Sequence, residues 1–88
     1  MSISVVRFYR RTDNVLVAAY ILMDNVALGS AIINDGVIVK WILFPEGDVA
    51  RNRLARECFR MMNCGSDKYR YTISDCDSEL GAPPNAQQ

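Results

Sequence analysis

Residues 15–44 are apolar at almost every position, and two polar pairs interrupt them. The pairs are Asp24-Asn25 and Asp35-Gly36. Such residues tolerate positive φ, and each pair lies between β-branched and aromatic runs, which is the pattern of a two-residue hairpin turn. The segment therefore predicts three antiparallel strands connected by tight turns.

A third polar pair, Asp13-Asn14, connects an earlier strand at residues 3–11 to this meander. A two-residue turn there places Arg7 opposite Tyr20. The other turns place Ser30 opposite Trp41. This register collects one apolar face, expected to be the core: Val6, Phe8, Val17, Ala19, Ile21, Met23, Val26, Leu28, Ile32, Val37, Val39, Trp41 and Leu43.

A helix is predicted after the meander, beginning after Asp48 as N-cap and ending at Cys64, with Gly65 at C′. One half of its surface is apolar. That half is expected to pack on the core face of the sheet, above Trp41 and Phe8. Its members are Ala50, Leu54, Ala55, Cys58, Phe59, Met61 and Met62.

A fifth strand is predicted at residues 69–74, where Tyr69, Tyr71 and Ile73 alternate with polar residues. A helix that crosses the sheet delivers this strand beside strand 1, antiparallel to it. A parallel position beside strand 4 needs a tight crossover and ranks second. The predicted fold is therefore α+β, a ββββαβ domain over residues 1–75 with strand order 5-1-2-3-4. Residues 76–88 are predicted to be a disordered polar tail.

The composition limits the classes of function that the chain could have. The chain has 88 residues, enough for one domain, and its ten basic residues balance ten acidic ones. A net charge of zero provides no general attraction to nucleic acid or anionic membrane. Apolar runs are too short for a membrane span and no secretory signal is present, so a soluble protein is expected. Cys58, Cys64 and Cys76 are expected to be free thiols in a reducing cytoplasm, Cys58 as a small buried hydrophobe.

No pattern of enzymatic chemistry emerges from these residues. The chain contains no histidine, and its glycines are scattered singly, so a nucleophile–base pair, a metal site and a phosphate-binding loop are all poorly supported. We expect a non-enzymatic protein without cofactor, metal or small-molecule substrate. Gly29 is the one glycine inside a predicted strand, which indicates either a bulge or close approach by another group.

The second face of the predicted sheet is the candidate site, because it is too apolar to remain solvated. We expect it to bind another protein or a second copy of this chain. The helix adds a stripe of three arginines, which is either functional or an ordinary solvated surface. The candidate partner-binding residues are Arg7, Tyr9, Tyr20, Leu22, Ile38, Lys40, Ile42 and Phe44 on the sheet, with Arg53, Arg56 and Arg60 on the helix.

The alternative is a single-stranded nucleic-acid binder that uses the same face. Tyr9 and Tyr20 would stack on bases while Arg7, Arg11 and Lys40 held phosphates. The zero net charge and the many aliphatic residues favour protein binding.

In size and style the chain resembles small phage or mobile-element proteins that inhibit host machinery, anti-CRISPR proteins among them. The likeness rests on a short, single-domain, arginine-rich α+β chain and on no motif. It implies a protein that acts by binding a partner.

Overall fold

The structure, a computed structural model, describes residues 3–75. The five strands form one antiparallel sheet in the order β4-β3-β2-β1-β5, and one helix packs on it. This confirms the predicted α+β fold and strand order. Cys76 and the predicted tail lie outside the described residues. The elements are β1 (Ile3–Arg10), β2 (Leu16–Met23), β3 (Val26–Asn34), β4 (Val37–Leu43), α1 (Val49–Cys64) and β5 (Tyr69–Asp75).

Two of the three predicted tight turns are confirmed. Met23 pairs with Val26 across residues 24–25, and Asn34 pairs with Val37 across residues 35–36. Positive φ occurs where it was expected, at 56° for Asp24, 53° for Asp35 and 77° for Gly36. Short polar residues and glycine accept this backbone conformation at low cost, which explains why the chain reverses there.

The first predicted turn is wrong, because a four-residue loop at residues 11–14 connects β1 to β2. The Arg10 backbone N–H donates to the Val15 carbonyl at 2.9 Å, so the loop closes at Arg10, two residues before the Thr12 position that a two-residue turn requires. The Asp13 carboxylate accepts two hydrogen bonds from the Arg10 guanidinium, at 2.9 and 2.6 Å. As a result Arg7 pairs with Ala19, and not with Tyr20.

Register irregularities move the later strands as well. They fall between Phe8 and Tyr9, between Ile21 and Leu22, and between Ile32 and Ile33. A one-residue change in pairing moves every following side chain to the opposite face of the sheet. Next to the two confirmed turns the predicted pairing still holds for Leu22 with Ala27 and for Ile33 with Ile38, and it is wrong beyond each irregularity.

The core lies between α1 and the middle of the sheet. Phe8 and Cys58 are fully buried there, and Leu54 is 8% exposed, which confirms the predicted positions of all three. The α1 helix packs mainly against β3 and β2. The members of this core are Val6, Phe8, Tyr20, Leu22, Ala27, Leu54, Ala55 and Cys58.

Trp41 does not lie beneath the helix. Trp41 pairs with Ala31. The next residue, Ile42, pairs with Ser30, and Ser30 in turn pairs with the core residue Tyr20. Because successive side chains alternate between faces, Trp41 lies on the side opposite α1. We name that side the outer face, and it carries Val5, Arg7, Tyr9, Ala19, Ile21, Gly29, Ala31, Ile33, Ile38, Trp41, Leu43, Arg70, Thr72 and Ser74.

The predicted helix boundaries are confirmed. The Asp48 carboxylate accepts a hydrogen bond from the Ala50 backbone N–H at 2.9 Å, which caps the first turn. Gly65 closes the last turn by donating its N–H to the Met61 carbonyl at 3.1 Å. A Cβ at Gly65 would lie 2.8 Å from that same oxygen, so the small residue is needed for space.

Candidate functional site

The β4 strand forms one edge of the sheet and exposes large apolar side chains. It is hydrogen-bonded to β3 on one side only, and its other side is open within residues 3–75. The exposed fractions are 61% for Val37, 58% for Val39 and 65% for Leu43. Long apolar edge strands are the usual sites of unwanted or functional strand pairing, and proteins generally protect them with charge. Lys40 is the one charged residue within β4.

The backbone of β4 also presents hydrogen-bonding groups at its open edge. The Phe44 backbone N–H donates to the Leu28 carbonyl at 2.9 Å, so the peptide groups of Phe44 point toward β3. Peptide groups alternate in direction along an antiparallel strand. The N–H and C=O groups of Trp41 and Leu43 therefore point away from β3, toward the open edge.

Gly29 allows Leu43 to lie close to β3. A Cβ on Gly29 would lie 2.2 Å from the Ile42 carbonyl oxygen and 2.8 Å from Leu43 Cδ2. Both explanations offered for this glycine apply, because the register irregularity is adjacent and a neighbouring chain segment approaches closely. Leu43 thus packs over the backbone of its partner strand on the outer face while most of its side chain remains exposed.

Tyr20 and Leu22, two of the predicted partner-binding residues, lie in the core beneath α1 and not on an exposed face. They are 6% and 7% exposed. The Tyr20 ring meets the edge of Phe8 with ring centroids 5.8 Å apart, and its hydroxyl contacts Met61 Sδ at 3.8 Å. Burial, together with the nearby Glu57 carboxylate, raises the pKa of Tyr20 to about 12. These two side chains cannot reach a partner in the folded protein.

Arg7, Tyr9 and Ile38 lie on the outer face, half-buried. The Arg7 guanidinium donates to Ser74 Oγ at 3.5 Å. The Arg70 guanidinium lies over the Tyr9 ring, 4.3 Å from its centroid, which is a cation–π contact. One face of the Tyr9 ring is therefore already occupied by this chain's own arginine.

Three of the predicted residues lie on the helix side of the sheet, opposite to Arg7 and Tyr9. They are Lys40 and Ile42 in β4 and Phe44 directly after it. Lys40 pairs with Ile32, and Phe44 packs against the core. The register thus separates the eight predicted strand residues into two groups on different faces. Only Arg7, Tyr9 and Ile38 remain together on the outer face.

Arg53, Arg56 and Arg60 are exposed on α1, as the predicted stripe requires. Arg11, proposed as a phosphate contact, instead donates from Nε to the Ser66 carbonyl at 2.7 Å. The arginine stripe is separated from the outer face by the sheet itself.

Trp41, Leu43 and Val39 join the candidate interface, although the sequence pattern assigned them to the core. Both sides of β4 are apolar, so alternation alone could not show which side contacts α1. The one useful signal was Gly29, because a glycine inside a strand marks the place where Leu43 crosses β3.

The described helix, α1, is not long and apolar enough to cross a membrane. No protein-family model, curated protein or solved structure matches this chain. The candidate site is therefore defined by its own geometry: the outer face and the open edge of β4.

Proposed function

We propose that this chain is a small protein-interaction module that acts by binding another protein, or a second copy of itself, through the outer face and the open edge of β4. The observation that carries the proposal is the combination of exposed apolar side chains with outward-pointing peptide groups on one edge strand. Such an edge accepts an extended segment by strand addition, and the side chains around it supply the contact area.

Binding of this kind needs no cofactor or catalytic group. It is consistent with inhibition of a host machine, which is the mode of action of the phage and mobile-element inhibitors that the chain resembles in size and style. The partner would supply an extended apolar segment with few charges, because β4 offers one lysine and no carboxylate of its own.

The nucleic-acid alternative gains less support from this geometry. A stacking platform needs its aromatic and basic side chains on one exposed face. Tyr20 is buried and Lys40 lies on the opposite side of the sheet from Arg7. Tyr9 keeps only its second ring face for a base, because Arg70 lies over the first.

Affinity capture with three full-length baits tests the proposed function: the wild-type chain, Leu43→Asp and Arg56→Glu. Both substitutions introduce a carboxylate at an exposed position, one on the β4 edge and one on α1. We expect the wild type and Arg56→Glu to retain the same protein, and Leu43→Asp to lose it. Binding is then repeated with the purified partner.

Two results would contradict the proposal. Loss of the partner with Arg56→Glu but not with Leu43→Asp would place the functional surface on α1. Retention that disappears on nuclease treatment, with a steep dependence on salt, would favour nucleic acid instead.

A further inference from the structure

We infer that the open edge of β4 pairs antiparallel with β4 of a second copy of this chain, on a two-fold axis at Trp41, giving a continuous ten-stranded sheet. This rests on the proposed function, and it names both the partner and the register. Closed two-fold pairing is the commonest form of protein self-association, and it requires a surface that is complementary to itself.

The exposed side chains of β4 meet that requirement. In antiparallel pairing about Trp41, residue numbers of opposed positions add to 82, so Val39 lies opposite Leu43 of the second copy and Trp41 lies opposite itself. Val39 and Leu43 are 58% and 65% exposed, and each would cover the other. Directly opposed apolar side chains are the unit of stabilisation between strands.

The backbone supports the same register. The peptide groups of Trp41 and Leu43 point toward the open edge, as the bond from the Phe44 N–H to the Leu28 carbonyl shows. A two-fold axis at Trp41 makes the two tryptophans a hydrogen-bonded pair that exchanges both N–H···O bonds. The irregular pairing of β4 with β3 falls between Ile38 and Lys40, so Val39 is the extra residue at one end of this segment, while residues 40–43 pair regularly with β3.

Charge selects this axis over its neighbour. Lys40 is the one charged residue of β4. An axis at Lys40 would place the two lysines directly opposite each other, which is unfavourable. The axis at Trp41 places Lys40 opposite the neutral Ile42. It also continues the apolar row of Leu43, Gly29, Ile21 and Val5 from one outer face to the other.

Sedimentation of two matched variants tests the register. Val39→Lys with Leu43→Lys places like charges opposite each other at both contacts, whereas Val39→Glu with Leu43→Lys places opposite charges there. Both variants change the same two exposed positions and remove the same apolar side chains. Within one chain the two positions are four residues apart on a strand, about 13 Å, so they do not pair with each other.

We expect the wild-type chain to dimerise as its concentration rises from about 1 µM to about 500 µM. The variant with opposite charges should dimerise at least about tenfold more tightly than the variant with like charges. The difference should shrink as salt is added. Ile73→Lys, at a 56% exposed position on the other sheet edge, is the control and should leave the dimer unchanged.

A wild-type chain that stays monomeric across this range would overturn the inference, as would equal dimerisation by the two charged variants or dissociation by Ile73→Lys. None of these results contradicts capture of a different protein through Leu43, so the inference and the proposed function fail separately. Circular dichroism of each variant confirms that it is folded before sedimentation.

Discussion

Tyr20 connects the sheet to the helix at the level of a single side chain. Its ring packs edge-on against Phe8 at 5.8 Å, and its hydroxyl reaches Met61 Sδ on α1 at 3.8 Å. An aromatic residue in this position contributes a large buried area and a specific ring contact. Its ring therefore stabilises the packing of α1 on the sheet.

Truncation of this residue should destabilise the fold. Tyr20→Ala removes the ring from a buried site, and comparable aromatic truncations cost about 3–5 kcal/mol of unfolding free energy. Tyr20→Phe keeps the ring and loses only the weak contact to sulfur, so it should cost about 1 kcal/mol or less. Urea unfolding measures both. A cost below about 0.5 kcal/mol for Tyr20→Ala would show that the ring is not buried beneath α1.

Two buried residues predict the response of stability to alkaline pH. Burial raises the pKa of Tyr20 from 10.0 to about 12 and the pKa of the Cys58 thiol from 9.0 to about 12. The folded state therefore holds both groups protonated after the unfolded chain has begun to release its protons. Their contribution is fully present below pH 9 and is lost as pH rises toward about 12.

Unfolding free energies measured at a series of pH values from neutral upward test this. We predict a steady loss of stability above pH 9 in the wild type, and a shallower loss in the double variant Tyr20→Phe, Cys58→Ala. The double variant carries neither group, so its curve is the matched control. Identical slopes for the two proteins would contradict the burial of both residues.

At the level of elements, the sheet register depends on details that a hydrophobic pattern does not contain. The strands, their order and the helix ends could be predicted, because turn residues and a capping Asp48 have local causes. The residue-by-residue pairing between the strands could not be predicted. The loop at residues 11–14 is held by the contact between Arg10 and Asp13, and an irregularity follows in each later hairpin.

These small shifts had a large consequence because both faces of the strands are apolar. Trp41 and Ile42 are neighbours, and either could have packed beneath α1. When one face is polar, a wrong register exposes apolar groups and is recognisable. In this sheet both faces are apolar, so a wrong register is not recognisable. The members of the candidate site on β2, β3 and β4 could therefore not be assigned to a face from the sequence alone.

Gly29 is the position where this element-level packing is most sensitive. A Cβ there would meet the Ile42 carbonyl oxygen at 2.2 Å, which is backbone and cannot move without separating β4 from β3. We predict that Gly29→Ala costs about 1–3 kcal/mol of unfolding free energy, as overpacking does in well-packed sites. Ser30→Ala, the adjacent position on β3, is the control and should cost less. A neutral Gly29→Ala would show that Leu43 does not cross β3 as described.

The molecule as a whole has one helix and a sheet that is apolar on both sides. The helix covers mainly β3 and β2. On the outer face Val5, Ala19 and Ile21 are also buried, whereas Leu43 remains 65% exposed. The exposed side chains of Val39 and Leu43 lie where the outer face meets the open edge of β4. We therefore propose that the interaction surface lies at that margin, where backbone groups and apolar side chains are presented together.

Amide hydrogen exchange along β4, followed residue by residue, tests this placement most directly. In dilute protein the Trp41 and Leu43 amides should exchange quickly, because they point to the open edge, while the Phe44 amide, bonded to Leu28, should exchange slowly. When the partner or the second copy binds, the Trp41 and Leu43 amides should become protected to the level of Phe44. If both amides are already slow in dilute protein, or stay fast in the complex, the open edge of β4 is not the binding surface.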